Sequence, residues 1–410
     1  ADIVDINMGC PARKVTRSGC GAAFSRDVDR AFHVTRSVVE ASPVPVTVKI
    51  RLGWSEGSHN FIELGRAVAE AGAEGEALEA RCHAIAQERG LRIWGPNCMG
   101  LVDAVNRHVF SFALPVIWEH GLRAGDVSLI VQSGMLSAGF LIDIMSNGVM
   151  GISKVCSIGN KADINECDIL EYLINDTDTG VIGLYLESIP NGQKFMGLCR
   201  RSEKPIVVLR GGKSQKGAEA AMSHTASLAG NGAVISGALA QVGVVEAHDF
   251  KQMMDLCRSL ADYPEISTKD SRRVAILTMS GAAGIVSSDF IVEHELAVAD
   301  ISMGTVEALK AIFPGWMPIS NPVDLWPAVE LHGRKKAYTK AFQAVCTDPG
   351  VDAVLFHGFV GGDAFRPDIS TLVEMAGRAG KPIFGWVMGN RTEAHKLQLQ
   401  AKKLRLPVFG

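Results

Sequence analysis

The sequence predicts an α/β fold of doubly wound parallel sheets, and three observations carry that prediction. Short β-branched runs alternate with longer amphipathic stretches along most of the chain. The gaps between successive runs have the length of crossover helices, which parallel strands require. The 43 glycines exceed the usual share, as many tight βα turns demand. A length of 410 residues leaves room for two or three domains. Hydrophobic residues at 47% and charged residues at 21% are ordinary for a globular protein, which excludes disorder, collagen and coiled coil as the main architecture. The net charge of −3 supplies no general attraction to nucleic acid or membrane. No apolar run reaches the ~18 residues that span a bilayer, so no membrane partner is expected. Nine cysteines stand singly, without metal-type spacing. They read as reduced thiols of a cytoplasmic protein, and no metal site is expected.

The chain opens with a strand over residues 1–6, a helix over 27–41 and a second strand over 44–50. Residues 59–71 are helical in pattern. A further helical stretch follows at once over 76–90, where Leu78, Cys82, Ile85 and Ala86 recur at helical spacing. Two helices without an intervening strand interrupt the βαβ rhythm, which resumes with a strand at 91–94. Strands are predicted over 127–131, 152–157, 181–186, 206–209, 274–278, 353–356 and 383–387, with helices between them. Residues 263–273, polar and carrying a proline, read as a linker. The chain runs from Ala1 to Gly410 with no initiator Met, and its last residues, 404–409, are strand-like. A fragment at both ends is therefore expected.

The window 211–230, GGKSQKGAEAAMSHTASLAG, carries the most chemistry. His224 sits there between Ser223 and Thr225, in a small, glycine-punctuated stretch. A lone histidine is commonly structural or a solvated loop residue. Small neighbours would equally let a phosphate approach the ring, and neutral imidazole can act as a nucleophile. Gln132-Ser133-Gly134 follows a predicted strand and opens a helix, where backbone N–H groups make an anion site. Residues 157–163, with Gly159, Asn160 and Lys161, follow the next strand in the same way. Two helix starts beside parallel strand ends match the usual ligand position of such sheets. Glu187 closes the strand 181–186; it is either a solvated strand-end carboxylate or the partner that fixes an imidazole tautomer.

Five ordered motifs then narrow the choice: IWGPNCMGL at 93–101, LIVQSGMLS at 129–137, SIGNKAD at 157–163, LYLE at 184–187 and SHTASLAG at 223–230. Together they resemble the NDP-forming acyl-CoA synthetases, the acetate–CoA ligase (ADP-forming) relatives of succinyl-CoA synthetase. NPVDL at 321–325 is similar to that family's flavodoxin-like ligase domain. The resemblance covers about 70–410. It implies that an acyl phosphate, formed from acyl-CoA and phosphate, phosphorylates His224, and that the phosphoryl group passes on to a nucleoside diphosphate. Glu187 would then orient His224. Ser133-Gly134 and Gly159-Asn160-Lys161 would be phosphate-binding turns, and Gly95, Pro96 and Asn97 belong to the CoA-domain motif. CoA and a small carboxylic acid are the implied substrates. ATP or ADP with Mg²⁺ would be held by an ATP-grasp module on a partner subunit or a further domain, implying a hetero-oligomer. The family's Gly-rich CoA-binding loop has no counterpart in residues 1–75.

The first seventy residues carry a different set: NMGCP at 7–11, Lys14-Val15, GCGAA at 19–23 and VKIR at 48–51. By type alone, Cys10 is either an inert small hydrophobe or an exposed proton donor in a Gly/Pro turn. Lys49 ends a buried-looking strand, where a cation snorkels or has a task. The set resembles the tRNA-dihydrouridine synthases, flavin-dependent TIM-barrel enzymes. It implies that Cys10 matches the catalytic acid, Asn7 its companion and Lys49 an FMN contact, with tRNA as partner. Two βα units are far from the eight a barrel needs, so tight FMN binding and uridine reduction are not expected.

Four segments follow: a dihydrouridine-synthase-like βα piece over 1–70, the end of a Rossmann CoA-binding domain over 71–122, and two flavodoxin-like units over 123–265 and 266–410. The two resemblances join near residues 66–76. Coverage favours the acyl-CoA ligase core; the alternatives are a dihydrouridine synthase and a catalytically inactive fusion or scaffold.

Overall fold

The computed structural model describes residues 4–10, 13–44, 46–50, 54, 60–70, 83–111, 118–214, 216–217, 232–264, 273–361 and 367–410. Near the N-terminus, β1 (Val4–Asn7) and β2 (Val46–Lys49) form a two-stranded parallel sheet. Between them lie α1 (Arg13–Thr16) and α2 (Val28–Ala41). The side chain of Asp27 accepts from the Arg30 amide and so fixes the start of α2. Helix α3 (Phe61–Glu70) packs on α2, and Met8, Phe24, Ala31, Leu64 and Val68 make one small core. Among the described residues, the remaining six strands of a barrel have no counterpart in this sheet.

The expected helix over 76–90 is described only from residue 83, and it is helical over 83–88. The expected strand over 91–94 is not one. Its polar groups bond to a loop of the next unit instead of to a ladder: Ile93 N–H donates to Asp163 Oδ2 at 2.7 Å and Trp94 Nε1 donates to the Ser157 carbonyl at 2.7 Å.

A seven-stranded sheet follows. Its strands are β3 (Gly100–Asp103), β4 (His108–Ser111), β5 (Ala124–Val131), β6 (Ile152–Ser157), β7 (Val181–Leu186), β8 (Ile206–Arg210) and β9 (Val245–Ala247), in the order β4-β3-β6-β5-β7-β8-β9. From β6 to β9 every pairing is parallel. Helices α4 (Gly134–Asn147), α5 (Glu166–Asn175), α6 (Gly192–Arg201), α7 (Gly232–Gln241) and α8 (Phe250–Asp262) connect and cover the strands. Alternation along β5 sorts the two faces. Leu129 and Val131 join Phe140, Leu141, Met253 and Cys257 on one side, while Ile130 joins Leu170, Leu184, Phe195 and Leu198 on the other. Burial of both faces explains why these strands read as continuous apolar runs. Strands β3 and β4 were not predicted. They form a hairpin that pairs antiparallel on β6, so residues 100–111 lengthen this sheet.

The last sheet is all parallel: β10 (Arg273–Thr278), β11 (Ala297–Val298), β12 (Val323–Asp324), β13 (Ala353–Val360), β14 (Ile383–Gly389) and β15 (Val408–Phe409), in the order β11-β10-β13-β14-β15 with β12 also paired to β10. Asn321, before the cis Pro322, binds the Ile276 amide and the carbonyls of Val274 and Ala299, which seats the NPVDL segment on β10. The two larger units touch through Arg258 of α8. It donates to the Val408 carbonyl at 3.0 Å and lies 4.5 Å over the Phe409 ring.

His357 of β13 is 1% exposed. Its Nδ1 meets Thr278 Oγ1 at 2.9 Å and its Nε2 meets Ser287 Oγ at 3.1 Å, so both ring nitrogens are satisfied without a charge. Burial pushes its pKa down to about 4. The unfolded chain takes up the proton first, so this histidine's contribution to stability is complete above pH ~6.5 and is lost as pH falls toward 4. Urea titrations of wild type and His357→Gln are expected to diverge across that window. The wild type gains on the order of 3 kcal/mol over the variant between pH 4 and 7; parallel pH profiles would disprove this reading.

Candidate functional site

The carboxyl ends of β5, β6, β7 and β8 lie side by side in parallel register. Strand β5 ends in Gln132-Ser133-Gly134, which opens α4. Ser133 is the N-cap, its Oγ accepting from Leu136 N–H at 3.4 Å and its carbonyl accepting from Ser137 N–H at 3.0 Å. The amides of Gly134 and Met135 have no acceptor among the described residues, and Met135 is 84% exposed. A helix start with free amides attracts an anion. The GPNC segment lies against this turn: an added Cβ on Gly134 would meet Met99 N at 3.3 Å and Asn97 O at 3.7 Å.

In the neighbouring turn, 157–163, several polar groups already have partners within the fold. Gly159 adopts a left-handed φ of +56°, and an added Cβ would lie 2.0 Å from the Pro96 carbonyl oxygen. That close approach is why glycine is needed here. Asn160 N–H donates to Pro96 O, Ala162 N–H to Gly95 O, and Lys161 N–H to Ile158 O. Asn97 Nδ2 reaches Asn160 Oδ1 at 3.3 Å. Two backbone donors of this turn, the Asn160 and Ala162 amides, therefore grip the GPNC segment. The Lys161 ammonium is also engaged: it pairs with Glu166 at 2.9 Å and donates to the Ser188 carbonyl at 2.8 Å, with both side chains of the pair nearly inaccessible. Asn165 and Asp168 form a capping box that fills the start of α5. Gly95, Pro96 and Asn97 thus meet Gly159, Asn160 and Lys161 as one interlocked loop pair. Arg92 completes it with a two-fold contact to Asp163, which lowers that carboxyl's pKa.

Glu187 follows β7. Its amide donates to Gln132 Oε1 at 2.8 Å, and its Oε1 accepts from Tyr185 OH at 3.4 Å. Burial, and then the neighbouring carboxylate, push the Tyr185 phenol up to about 12, so it stays a donor at neutral pH. Gly211, after β8, lies beside both: an added Cβ would sit 3.1 Å from Tyr185 OH and 3.4 Å from Glu187 Cγ. Sequence reasoning assigned no role to the charged group next to it. Arg210, 8% exposed, donates to Glu246 Oε1 at 2.9 Å and to the Gly232 carbonyl at 3.0 Å. Lys213 shares Glu246 at 2.9 Å, and the hydrogen bonds of Ser236, Lys213 and Arg210 outweigh burial to lower the Glu246 pKa. The sequence signal was a cation closing an otherwise apolar strand, Ile206–Arg210. These contacts bring Lys213 and Gly232 together, since an added Cβ on Gly232 would lie 2.9 Å from Lys213 O. His224 lies between them in sequence but outside the described residues.

In the N-terminal unit, Asn7 and Lys49 are register partners on β1 and β2. Asn7 Oδ1 accepts from Gly9 N–H at 3.0 Å, shaping the turn that carries Cys10. The Cys10 carbonyl accepts from Ala22 N–H at 2.8 Å, which ties the two cysteine-bearing segments together. The three residues therefore share one end of a two-stranded sheet. Among the described residues, no group of three or more His, Cys, Asp or Glu side chains could hold a metal ion. No described helix is long and apolar enough to cross a membrane.

Comparison with known proteins finds two families along the chain. The succinyl-CoA ligase like flavodoxin domain matches residues 124–260, and dihydrouridine synthase (Dus) matches residues 1–94. The second match runs past the join read at 66–76, although Ile93 and Trp94 are bonded to the seven-stranded unit. The acetate–CoA ligase [ADP-forming] II of Archaeoglobus fulgidus is 35% identical over 349 residues, covering 83% of this chain and 50% of that protein. The acetate–CoA ligase [ADP-forming] II subunit alpha of Pyrococcus furiosus is 33% identical over 288 residues, or 70% of this chain and 60% of that one. The chain thus spans about half the length of the first relative and under two thirds of the second. The apo form of dinucleotide forming acetyl-coenzyme A synthetase 1 from Ca. Korarchaeum cryptofilum superposes with a TM-score of 0.70 at 25% identity, over 93% of this chain and 77% of that structure. From about residue 70 onward the chain is homologous to the NDP-forming acyl-CoA synthetases, and an N-terminal stretch homologous to the dihydrouridine synthases precedes that region.

Proposed function

We propose that the chain carries the phosphohistidine-relay core of an NDP-forming acyl-CoA synthetase. In the relay, a nitrogen of His224 attacks the phosphorus of an acyl phosphate. The P–O bond to the acyl group breaks, the carboxylate leaves, and the phosphoryl group rests on the imidazole. A nucleoside diphosphate then takes it from the ring. Glu187 holds the far ring N–H, and the start of α4 at Ser133–Gly134 receives the phosphoryl oxygens. CoA and a small carboxylic acid are the substrates at one end of the sequence. ATP or ADP, with Mg²⁺, is held at the other by an ATP-grasp module on a partner subunit or a further domain. The setting is cytoplasmic and the assembly a hetero-oligomer; the alpha-subunit name of the Pyrococcus relative supports a partner. The segmentation into 1–70, 71–122, 123–265 and 266–410 belongs to the same proposal.

One observation carries this reading. Lys213 and Gly232 bracket the His224 segment and meet at the end of β8, where Gly211 touches Glu187 and where β5 presents its helix start. Ten residues separate Lys213 from His224 and seven separate His224 from Gly232, so the two ends of the segment are held beside those groups.

The test uses acetyl phosphate labelled in its phosphoryl group, which bypasses CoA and nucleotide. Acid-labile, base-stable label on His224 is expected in the wild type and absent in His224→Asn. A folded wild-type chain that takes up no label above the variant would leave the inactive scaffold as the better reading. The dihydrouridine synthase alternative rests on two strands and three residues, and among the described residues the geometry adds no flavin-holding element to it.

A further inference from the structure

We propose that the joint between the two larger units is a proton-operated latch, held closed while the Asp262 carboxyl keeps its proton and loosened when that proton leaves. The inference stands apart from the relay reading.

The units meet at the end of α8. Arg258 crosses to the Val408 carbonyl and the Phe409 ring. Tyr263 OH donates to the Ile383 carbonyl at 3.1 Å, and its ring meets Phe384 in a T-shaped contact at 5.5 Å. In return, Arg405 donates to the Ala261 carbonyl. Asp262 stands in this seam with its side chain 17% exposed, and Arg405 Nε, 3.9 Å away, is the one cation within ion-pair reach among the described residues. No described group donates a hydrogen bond to the carboxylate. Arg405 is itself shared, since Asp126 of β5 lies 3.7 Å from its Nη2. The other charged groups facing Asp262 are Arg258 on α8, paired with Asp255, and Lys402 of the helix Arg391–Lys403, with Arg123 beyond Lys402. The seam is under-satisfied on the cationic side too: Arg258 Nε is buried without a hydrogen-bond partner among the described residues.

A carboxylate taken from water without hydrogen bonds or a close cation is costly, and a proton relieves that cost. Burial pushes the Asp262 pKa up to about 6; Arg405, Arg258 and Lys402 pull the other way and Asp126 adds to the rise. Separation of the units returns the carboxyl to water and to its ordinary value near ~3.9. The closed joint therefore binds the proton more tightly than the open one. Its contribution is full near pH ~4 and is lost as pH rises through ~6, the opposite of a salt bridge, and it changes the closing equilibrium by about 100-fold at most. Helix α8 also packs on β7, the strand that Glu187 follows, and the Phe250 ring at its other end lies 5.9 Å from Tyr185. The latch and the candidate site thus share one helix.

The experiment follows hydrogen exchange of the whole chain by mass spectrometry between pH ~4.5 and ~7.5, corrected for the intrinsic pH dependence of exchange. In the wild type, the amides of 258–264 and 404–409 should lose about 10- to 100-fold of their protection as pH rises, while those of β7 change less than about three-fold. Asp262→Asn keeps the size and removes the titrating group, so its seam should stay as protected at neutral pH as the wild type is in acid. His357 titrates in the last unit with the opposite sign, so the local comparison decides and global unfolding does not. A flat wild-type profile overturns the proposal, and so does the wild-type decline repeated in a folded Asp262→Asn. If Asp262→Asn does not fold, Arg405→Gln decides. Loss of the nearest cation should move the midpoint of the decline to higher pH, and a midpoint that stays in place overturns the proposal.

Discussion

Glu187→Gln is expected to slow phosphorylation of His224 by about 10²- to 10⁴-fold without unfolding the protein. A carboxylate that orients an imidazole does two things: it fixes the tautomer and it offsets the positive charge that grows on the ring as the other nitrogen forms a bond. Glutamine keeps the size, the backbone contact to Gln132 and the Tyr185 contact, and it removes the charge. It can also turn its own N–H₂ toward the ring and hold the wrong tautomer. The pH profile separates this from a packing defect. In the wild type the labelling rate should plateau once the imidazole is neutral, whereas a defect in packing would lower the rate evenly and lower the melting temperature too. Wild-type rates in folded Glu187→Gln would detach this carboxylate from the relay. Glu187→Ala, which also removes the stem beside Gly211, should be no faster than the glutamine variant.

Lys161→Met should lower the unfolding free energy by about 3–5 kcal/mol. The Lys161 and Glu166 side chains are 4% and 1% exposed, and they pair at 2.9 Å. Removing the cation leaves a buried carboxylate whose desolvation is no longer offset, and that unpaired state is what makes such a change severe. Lys161 also ties α5 to the Ser188 carbonyl at 2.8 Å, next to Glu187. Replacing both charges, in Lys161→Met/Glu166→Leu, should recover most of the loss, because a buried pair contributes little over an apolar pair of similar volume. Urea unfolding of the three proteins checks the ordering. A stable Lys161→Met with slow labelling would reverse the assignment and return this ammonium to the phosphate.

These two residues show where sequence reading succeeds and where it stops. Both stand in motifs, and the motifs place both at strand ends. From the motif alone, Lys161 is a cation beside a helix start and reads as a phosphate ligand. The structure turns its side chain inward to Glu166, five residues on, and the turn's amides toward Gly95 and Pro96. Hydrogen-bond direction depends on which loop comes to lie opposite, and the partner loop is more than sixty residues away in sequence. Gln132 shows the same limit. Its carboxamide oxygen meets the Glu187 amide across two strands that are neighbours only in the folded sheet.

The local pattern was decisive wherever burial is set within one segment. Parallel strands buried on both faces must be apolar throughout, so β5 to β8, β10, β13 and β14 could be placed from their residues alone. Short edge strands carry no such pattern. β4, with the exposed Val109 and Phe110, and the two-residue strands β11 and β12 exist only because a neighbour is there to pair with. The junction of two family likenesses was equally legible, since motif order is a property of the chain itself. Which sheet residues 91–111 join was decided by the tertiary structure: the cis Gly95–Pro96 turn, Asp163 and β6 capture them through hydrogen bonds that no local propensity specifies.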